Sequence, residues 1–472
     1  MKPNDFTWSR TLERGIFNTD NPIFKYIIEH QQRYLLAVLI VVLFLPLLFN
    51  SLLGKPLLIG AESYYHLSQA QLAGWRNLEY YPLSLAQNFL PERALALLPI
   101  ALAISCYFLW HWLARRWEIP ASMNLFLVFF IIISPWFLYA FTTLSAYGFF
   151  TFLVLLGLVL LYQKRLLFRY LAVFPLGLAA FFDLMSGVVV LLILLLYWHS
   201  RRLKKKTKLP GVMILFVLSL LLFQWLVLKK NLVLGPFHLQ SPISDLVSDL
   251  GGLQGVGLFM ILLAVLGMGI IWKKRQFLGA YLFVPVLIAG YLYSTQVMFF
   301  LGMLICFFAA LGFVALLEDQ WILQKVKEFT CLLLILGILF STLSYFNRFP
   351  TYSPTGAEVE VLHWMKDNTN PNTVIFSAPE QEPYLRYFAE RPAFYALREG
   401  MNKRGEVTRA ILKANYIQEL FPLLEANHIS LLYLTPTLKA RLPADQGLLF
   451  LLKNERFKLV HSHEGSEVWV FS

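Results

Sequence analysis

Long uncharged apolar runs recur along this chain, and "LLAVLIVVLFLPLLFNSLL" (35–53) is the first. A helix crossing a bilayer needs about 20 mostly apolar residues, because each residue rises ~1.5 Å through a hydrocarbon layer of ~30 Å. Eleven stretches meet or approach that length: 34–53, 91–113, 122–140, 144–162, 168–182, 184–199, 211–229, 255–272, 277–294, 296–317 and 329–346. Two pairs are nearly fused, at "FFDLMSG" and at "YSTQ". Hydrophobic residues make up 58% of the chain and charged ones 14%. Soluble domains carry about a quarter charged residues, so the balance is that of a multi-pass integral membrane protein.

The net charge of +12 suggests a nucleic-acid binder until the basic residues are located. They fall in short tracts between apolar runs, with no basic face. If the N-terminus is cytoplasmic, the inner segments hold twenty-one Lys and Arg and the outer loops ahead of the tail hold five. That bias orients a membrane protein. An odd number of spans then puts the C-terminus outside. The start of the chain lacks a short cleavable signal, so the first apolar run reads as a retained helix. The setting expected is a prokaryotic plasma membrane.

After about residue 347 the composition changes. Pro350, Pro354 and Gly356 mark a boundary, and charges return. Helical and strand patterns alternate through the tail: helices at "EVEVLHWMKDN", "EPYLRYFAER", "EVTRAILKA" and "IQELFPLLEAN", strands at "NTVIFSA", "ISLLYLT" and "FKLVHSHEGSEVWVFS". The expected fold is an α-helical polytopic membrane domain of about 11 transmembrane helices followed by a small extracytoplasmic α/β domain. The divisions are a cytoplasmic segment 1–33, a membrane domain 34–347 with outer loops 54–90 and 229–254, and the outer domain 348–472. Cys106, Cys306 and Cys331 lie in apolar runs and read as buried hydrophobes without metal spacing or disulfides.

Three outer segments carry polar groups at the membrane boundary. "GAESYYHLSQAQ" (60–71) packs Glu62, Tyr64, Tyr65 and His66 directly after the first apolar run. A carboxylate there can serve as general base or metal ligand; an interfacial aromatic belt with a solvated Glu62 is the alternative. Asp183 lies at the hinge of "AFFDLMSG", as a membrane-depth acid or as the N-cap of the next helix. "KKNLVLGPFHLQSPISDLVSDLGG" brings Lys229, Lys230, His238, Asp245 and Asp249 into one loop, suited to a diphosphate and a metal, or to an interfacial helix with solvated acids. In the tail, Arg386, Arg391 and Arg398 are candidates to face phosphate. There is no Walker A, no Rossmann glycine signature, and no Ser-His-Asp or His-x-x-x-His spacing.

"GAESYYHL" after the first helix resembles the Gly-x-Asp-x-Tyr-Tyr-His-Leu motif in the first outer loop of oligosaccharyltransferase catalytic subunits. More broadly, the chain resembles the GT-C glycosyltransferases that use polyprenyl-linked sugar donors. "ISPWFLYAFTTLSAYGFF" (133–150) and "SPISDLVSDLGG" are similar to that family's later outer segments. The resemblance implies that Glu62 stands in place of the first catalytic Asp; Asp183, as an acid at membrane depth, is the second catalytic candidate. It implies a weak metal pair of Glu62 and Asp245, holding Mn²⁺ or Mg²⁺. Tyr64, Tyr65, His66, Lys229, Lys230, His238 and Arg386 would bind substrate. Two departures stand out: "FTTLSAY" (141–147) has no carboxylate where the family carries an acidic pair, and the tail lacks the Trp-Trp-Asp-Tyr-Gly motif.

The activity expected is transfer of a sugar or oligosaccharide from a polyprenyl-phosphate-type carrier to a glycan or protein acceptor at the outer face. The partners are that lipid-linked donor, the acceptor and the bilayer, with no nucleic acid. A non-catalytic relative that binds glycolipid or assembles a complex is the first alternative. A transporter or flippase is the second, disfavoured by scarce intramembrane charge and the lack of an internal repeat.

Overall fold

The computed structural model describes residues 22–71, 81–182, 184–202, 209–227, 246–252, 255–272, 278–293, 297–319, 321–395, 403–443 and 446–471. Asp183, Lys229, Lys230, His238, Asp245 and Arg398 lie outside them. The chain divides into two compact units, one formed by Met1–Pro46 with Leu97–Phe349, the other by Leu47–Ala96 with Pro350–Ser472.

The first unit is helical. Each of the eleven apolar stretches contains helix, but among the described residues four helices are by themselves long and apolar enough to cross a membrane: Gln31–Leu52, Glu92–Arg116, Val297–Glu318 and Gln324–Arg348. A fifth span counts if Ala121–Ile133 and Pro135–Thr142 are taken together across their 64° bend. Their outward faces carry exposed Val41, Leu48 and Phe340, which suits lipid rather than water. The chain is an integral membrane protein.

The stretch 122–140, expected as one continuous helix, is thus broken. Pro135 has no N–H to continue the ladder and drives Ser134 to extended angles (φ −74°, ψ 133°). The backbone carbonyls freed at the break find other donors. Ser134 Oγ–H donates to Phe130 O, and the Thr342 hydroxyl donates to Ile133 O at 2.6 Å. Helices Leu258–Ile271 and Val297–Glu318 meet through two glycines: a Cβ on Gly267 would overlap Phe308 O, and one on Gly312 would overlap Leu263 O. Small residues let membrane helices approach to backbone contact, which maximises dispersion where no hydrophobic drive exists. The three cysteines are buried and free.

The second unit contains a four-stranded sheet in the order β1 (Ile375–Phe376), β2 (Leu431–Leu434), β4 (Ser466–Phe471), β3 (Phe457–His463). β1 and β2 are parallel and the other pairings antiparallel. All four residues of β2 are buried, as a strand covered on both faces requires. The β3–β4 turn places Glu464 and Gly465 at φ 43° and 83° and pairs His463 with Ser466, a two-residue turn whose twist matches the strands. Around the sheet, Ile411, Leu420 and Leu424 of helices Lys403–Lys413 and Ile417–Ala426 join Phe376, Leu432, Leu434, Phe457 and Phe471 in one core. Helix Gly356–Asn368 begins with a reciprocal cap: Thr355 Oγ1 accepts from Glu358 N–H (3.1 Å), and Glu358 Oε2 accepts from Thr355 N–H (2.8 Å).

Segment 54–90, expected as an outer loop of the membrane domain, goes with the tail. Much of it is helix, Gly60–Gln71 and Tyr81–Phe89. Asn50 at the end of the first span, fully buried, donates through Nδ2 to Pro56 O (2.9 Å) and to Ser353 Oγ (3.3 Å). The Gly60 N–H also donates to Ser353 Oγ, at 3.5 Å.

Candidate active site

The Gly60–Gln71 helix builds the site. Gly60 has φ +77°, a left-handed conformation that glycine adopts without cost, and it turns the chain from the non-helical "PLLI" into the helix. Glu62 falls in the first turn, where the helix dipole favours a carboxylate. Four residues on, His66 shares its face. Glu62 Oε1 and His66 Nε2 are 3.4 Å apart, and their side chains are 11% and 9% exposed. The solvated Glu62 of an interfacial belt is therefore not what the structure holds. The acid stands mostly out of water beside an imidazole.

Tyr64 has another task. It is completely buried, its hydroxyl donates to Leu58 O at 3.1 Å, and its ring packs against Tyr384 (5.3 Å), Tyr387 (5.2 Å) and Phe388 (4.9 Å). The substrate contact expected of Tyr64 gives way to packing: period 3.6 turns it away from Glu62 and into the core of its unit. Tyr65 remains partly accessible, with its ring 5.5 Å from that of His66. Burial holds the Tyr64 phenol well above its ordinary range, with the charge of Glu92 adding to the effect. Burial likewise pushes Tyr387 up to about 12 and raises Tyr384 further.

The acids and bases of the tail are mostly committed. Arg386 pairs with Glu382, a buried acid one turn earlier, and keeps about a third of its side chain exposed (34%). Arg391 is buried and donates to Lys366 O and Thr369 O (2.6 Å each) and to Thr369 Oγ1 (2.9 Å), closing the C-terminus of helix Gly356–Asn368. A phosphate role for Arg391 gives way to this clamp, because its donors are spent on carbonyls. Asp249 lies on a short 3₁₀ turn, Ser248–Leu250, and its Oδ2 accepts from Leu258 N–H (2.7 Å) at the start of the next helix. Its carboxylate thereby serves as a helix cap.

Sequence reasoning passed over Glu92 and His363. Glu92 is close enough to His363, Tyr64 and Tyr387 to couple to them electrostatically. The one hint in the sequence was an acid opening an apolar run, at "LPERALALLP".

A Mn²⁺ or Mg²⁺ ion wants several oxygen ligands. Among the described residues no three His, Cys, Asp or Glu side chains come together, and Glu62–His66 is a two-donor pair. The described residues therefore do not make up a divalent-ion site, and no chemical step is assigned to a metal.

No protein-family model matches the sequence, and no curated protein sequence matches it. Solved structures do share its fold. The Archaeoglobus fulgidus oligosaccharyltransferase AglB, in complex with an inhibitory peptide and a dolichol-phosphate, aligns over 94% of this chain and 74% of its own, with 12% identity and a TM-score of 0.50. An A. fulgidus oligosaccharyltransferase in complex with Zn and sulfate covers 93% and 73%, again with 12% identity and a TM-score of 0.50. ArnT from Cupriavidus metallidurans, bound to undecaprenyl phosphate, covers 92% and 97% with 13% identity and a TM-score of 0.45. The chain shares the fold of the Archaeoglobus fulgidus oligosaccharyltransferase.

Proposed function

We propose that this protein is a GT-C-type glycosyltransferase that moves a sugar from a polyprenyl-phosphate-type lipid to an acceptor at the outer membrane face, with Glu62 as its base. One observation carries the reading. In a fold shared with an oligosaccharyltransferase, the acid that follows the first span is largely withdrawn from water and faces an imidazole at 3.4 Å. A solved neighbour holds dolichol-phosphate, which supports a lipid-phosphate donor here.

In this reading Glu62 accepts a hydrogen bond from the acceptor's O–H or N–H and orients its lone pair toward the anomeric carbon. The carbon–acceptor bond forms as the bond to the phosphate oxygen breaks. That electron pair leaves with the lipid phosphate, and the acceptor proton passes to Glu62. His66 holds the carboxylate in place. Tyr65 lines the approach, and Lys229, Lys230, His238 and Arg386 neutralise the leaving phosphate. Asp183 and Asp245, outside the described residues, are the further acids of this reading. In this reading a membrane domain carries the donor and residues 348–472 form an outer α/β domain.

The test uses the purified full chain in liposomes with a radiolabelled undecaprenyl-phosphate sugar and a sequon peptide or extracted glycan as acceptor. Glu62→Gln is expected to lower transfer by about 100-fold or more, the scale of a lost general base. Transfer unchanged in that variant removes Glu62 from the chemistry. A second reading, a non-catalytic glycolipid-binding relative, is favoured by the two-donor character of Glu62–His66. Donor binding with no turnover in the unaltered protein would select it.

A further inference from the structure

We propose that a cavity between the ends of helices Glu92–Arg116 and Ala146–Leu161 binds the phosphate headgroup of an anionic membrane lipid. The cavity measures about 530 Å³ and is lined by four cations, Arg115, Arg116, Lys164 and Arg165, together with Trp112 and Phe168. Arg115 and Arg116 close the last turn of one helix, and Lys164 and Arg165 lie in the short connection after the other. Both belong to segments that the charge bias assigns to the cytoplasmic side.

The frame holding these cations is built. Tyr162 packs edge-on between Trp117 (5.9 Å) and Tyr197 (5.5 Å), and the Tyr197 hydroxyl donates to Leu161 O at 3.2 Å. The Arg169 guanidinium donates to Gln163 O at 2.7 Å and pins the connection from its other side. No described carboxylate pairs with any of the four lining cations.

Orientation by positive loops accounts for basic residues near the membrane but not for four of them around one cavity, where mutual repulsion calls for an anion. Arginine forks match phosphate oxygens bidentately. The rim separates a lipid from a free phosphate: Trp112 and Phe168 are 36% exposed, and neighbouring Leu167 is 68% exposed. A soluble anion has no use for that apolar edge, whereas acyl chains do. Basic pockets at the cytoplasmic ends of membrane helices suit lipid headgroups on the same physical grounds.

The test is native mass spectrometry of the full-length protein in detergent with dioleoyl phosphatidylglycerol, dioleoyl phosphatidylcholine or inorganic phosphate. The unaltered protein is expected to retain phosphatidylglycerol about tenfold more than phosphatidylcholine. Arg115→Gln/Arg165→Gln should cut that retention about tenfold. Arg33→Gln/Lys325→Gln removes the same charge elsewhere and should leave it unchanged. Equal loss in both double variants, equal retention of the two lipids, or binding of inorganic phosphate without lipid each overturns the proposal. If the glutamine variant melts early, Arg115→Lys/Arg165→Lys is read in its place. It keeps the charge and loses the forks, and undiminished phosphatidylglycerol retention in it likewise overturns the proposal. Glycosyl transfer need not occur for this result, so it stands or falls apart from the role of Glu62.

Discussion

Glu62 Oε1 and His66 Nε2 face each other across 3.4 Å, one helical turn apart, while Tyr64 between them in sequence is wholly buried. The residue two positions on from Glu62 therefore serves the core, and the residue one turn away faces the acid. His66→Ala should lower transfer about tenfold through a misplaced carboxylate, while His66→Gln, which keeps a donor at similar reach, should recover much of it. Initial rates in the liposome assay, with circular dichroism to confirm folding, decide the matter. Equal rates for both variants and the unaltered protein would detach His66 from Glu62.

The buried tyrosines make the second unit sensitive to alkali. In an unfolded chain phenols ionise near about 10. In this fold Tyr64, Tyr384 and Tyr433 stay protonated to higher pH, and Tyr387 to about 12, because burial penalises the phenolate. Raised folded values mean that their stabilising contribution is whole below pH ~10 and is lost as pH climbs from there through about 12. Absorbance at 295 nm should rise first for the exposed tyrosines, with a second step that coincides with unfolding. A single step near pH 10 without loss of structure would contradict the burial.

Arg391 closes a helix with three hydrogen bonds and, among the described residues, pairs with no carboxylate. Arg391→Met should cost about 3 kcal/mol, since bonds from a charged donor are lost and two carbonyls are left unpaired. Arg391→Lys should recover little, because an ammonium cannot span both Lys366 O and Thr369 O in the same fork. Thermal melting compares the three proteins. A lysine variant as stable as the unaltered chain would rule out the fork.

Gly312 sets how near two membrane helices come. A methyl group at this position would overlap Leu263 O, so Gly312→Ala must push helices Leu258–Ile271 and Val297–Glu318 apart. A loss of about 1–3 kcal/mol is expected, the usual scale of overpacking. Gly269→Ala, where a Cβ meets open space, is the control and should melt with the unaltered protein.

Much was legible in one dimension. Apolar runs specify a membrane class, because burying a charge in hydrocarbon is costly wherever it occurs, and the flanking charges set an expected orientation. The tail's helices and strands were readable for the same kind of local reason: period 3.6 in "EVEVLHWMKDN" and a buried run in "ISLLYLT". "GAESYYHL" marked the place of the candidate site. What it did not disclose was the partition of labour within the motif, since Tyr64, Tyr65 and His66 look alike as polar residues in a row. Only the helix, and the tail residues Tyr384, Tyr387 and Phe388 more than 300 positions on, decide that Tyr64 is core while Glu62 and His66 are paired. The same holds for Arg391, whose clamp, and for Arg115 with Arg165, whose shared cavity, come from distant segments of chain brought together. Local sequence carries propensity and polarity. Which groups share one small volume is settled by tertiary packing, because it depends on contacts that no short window of sequence contains.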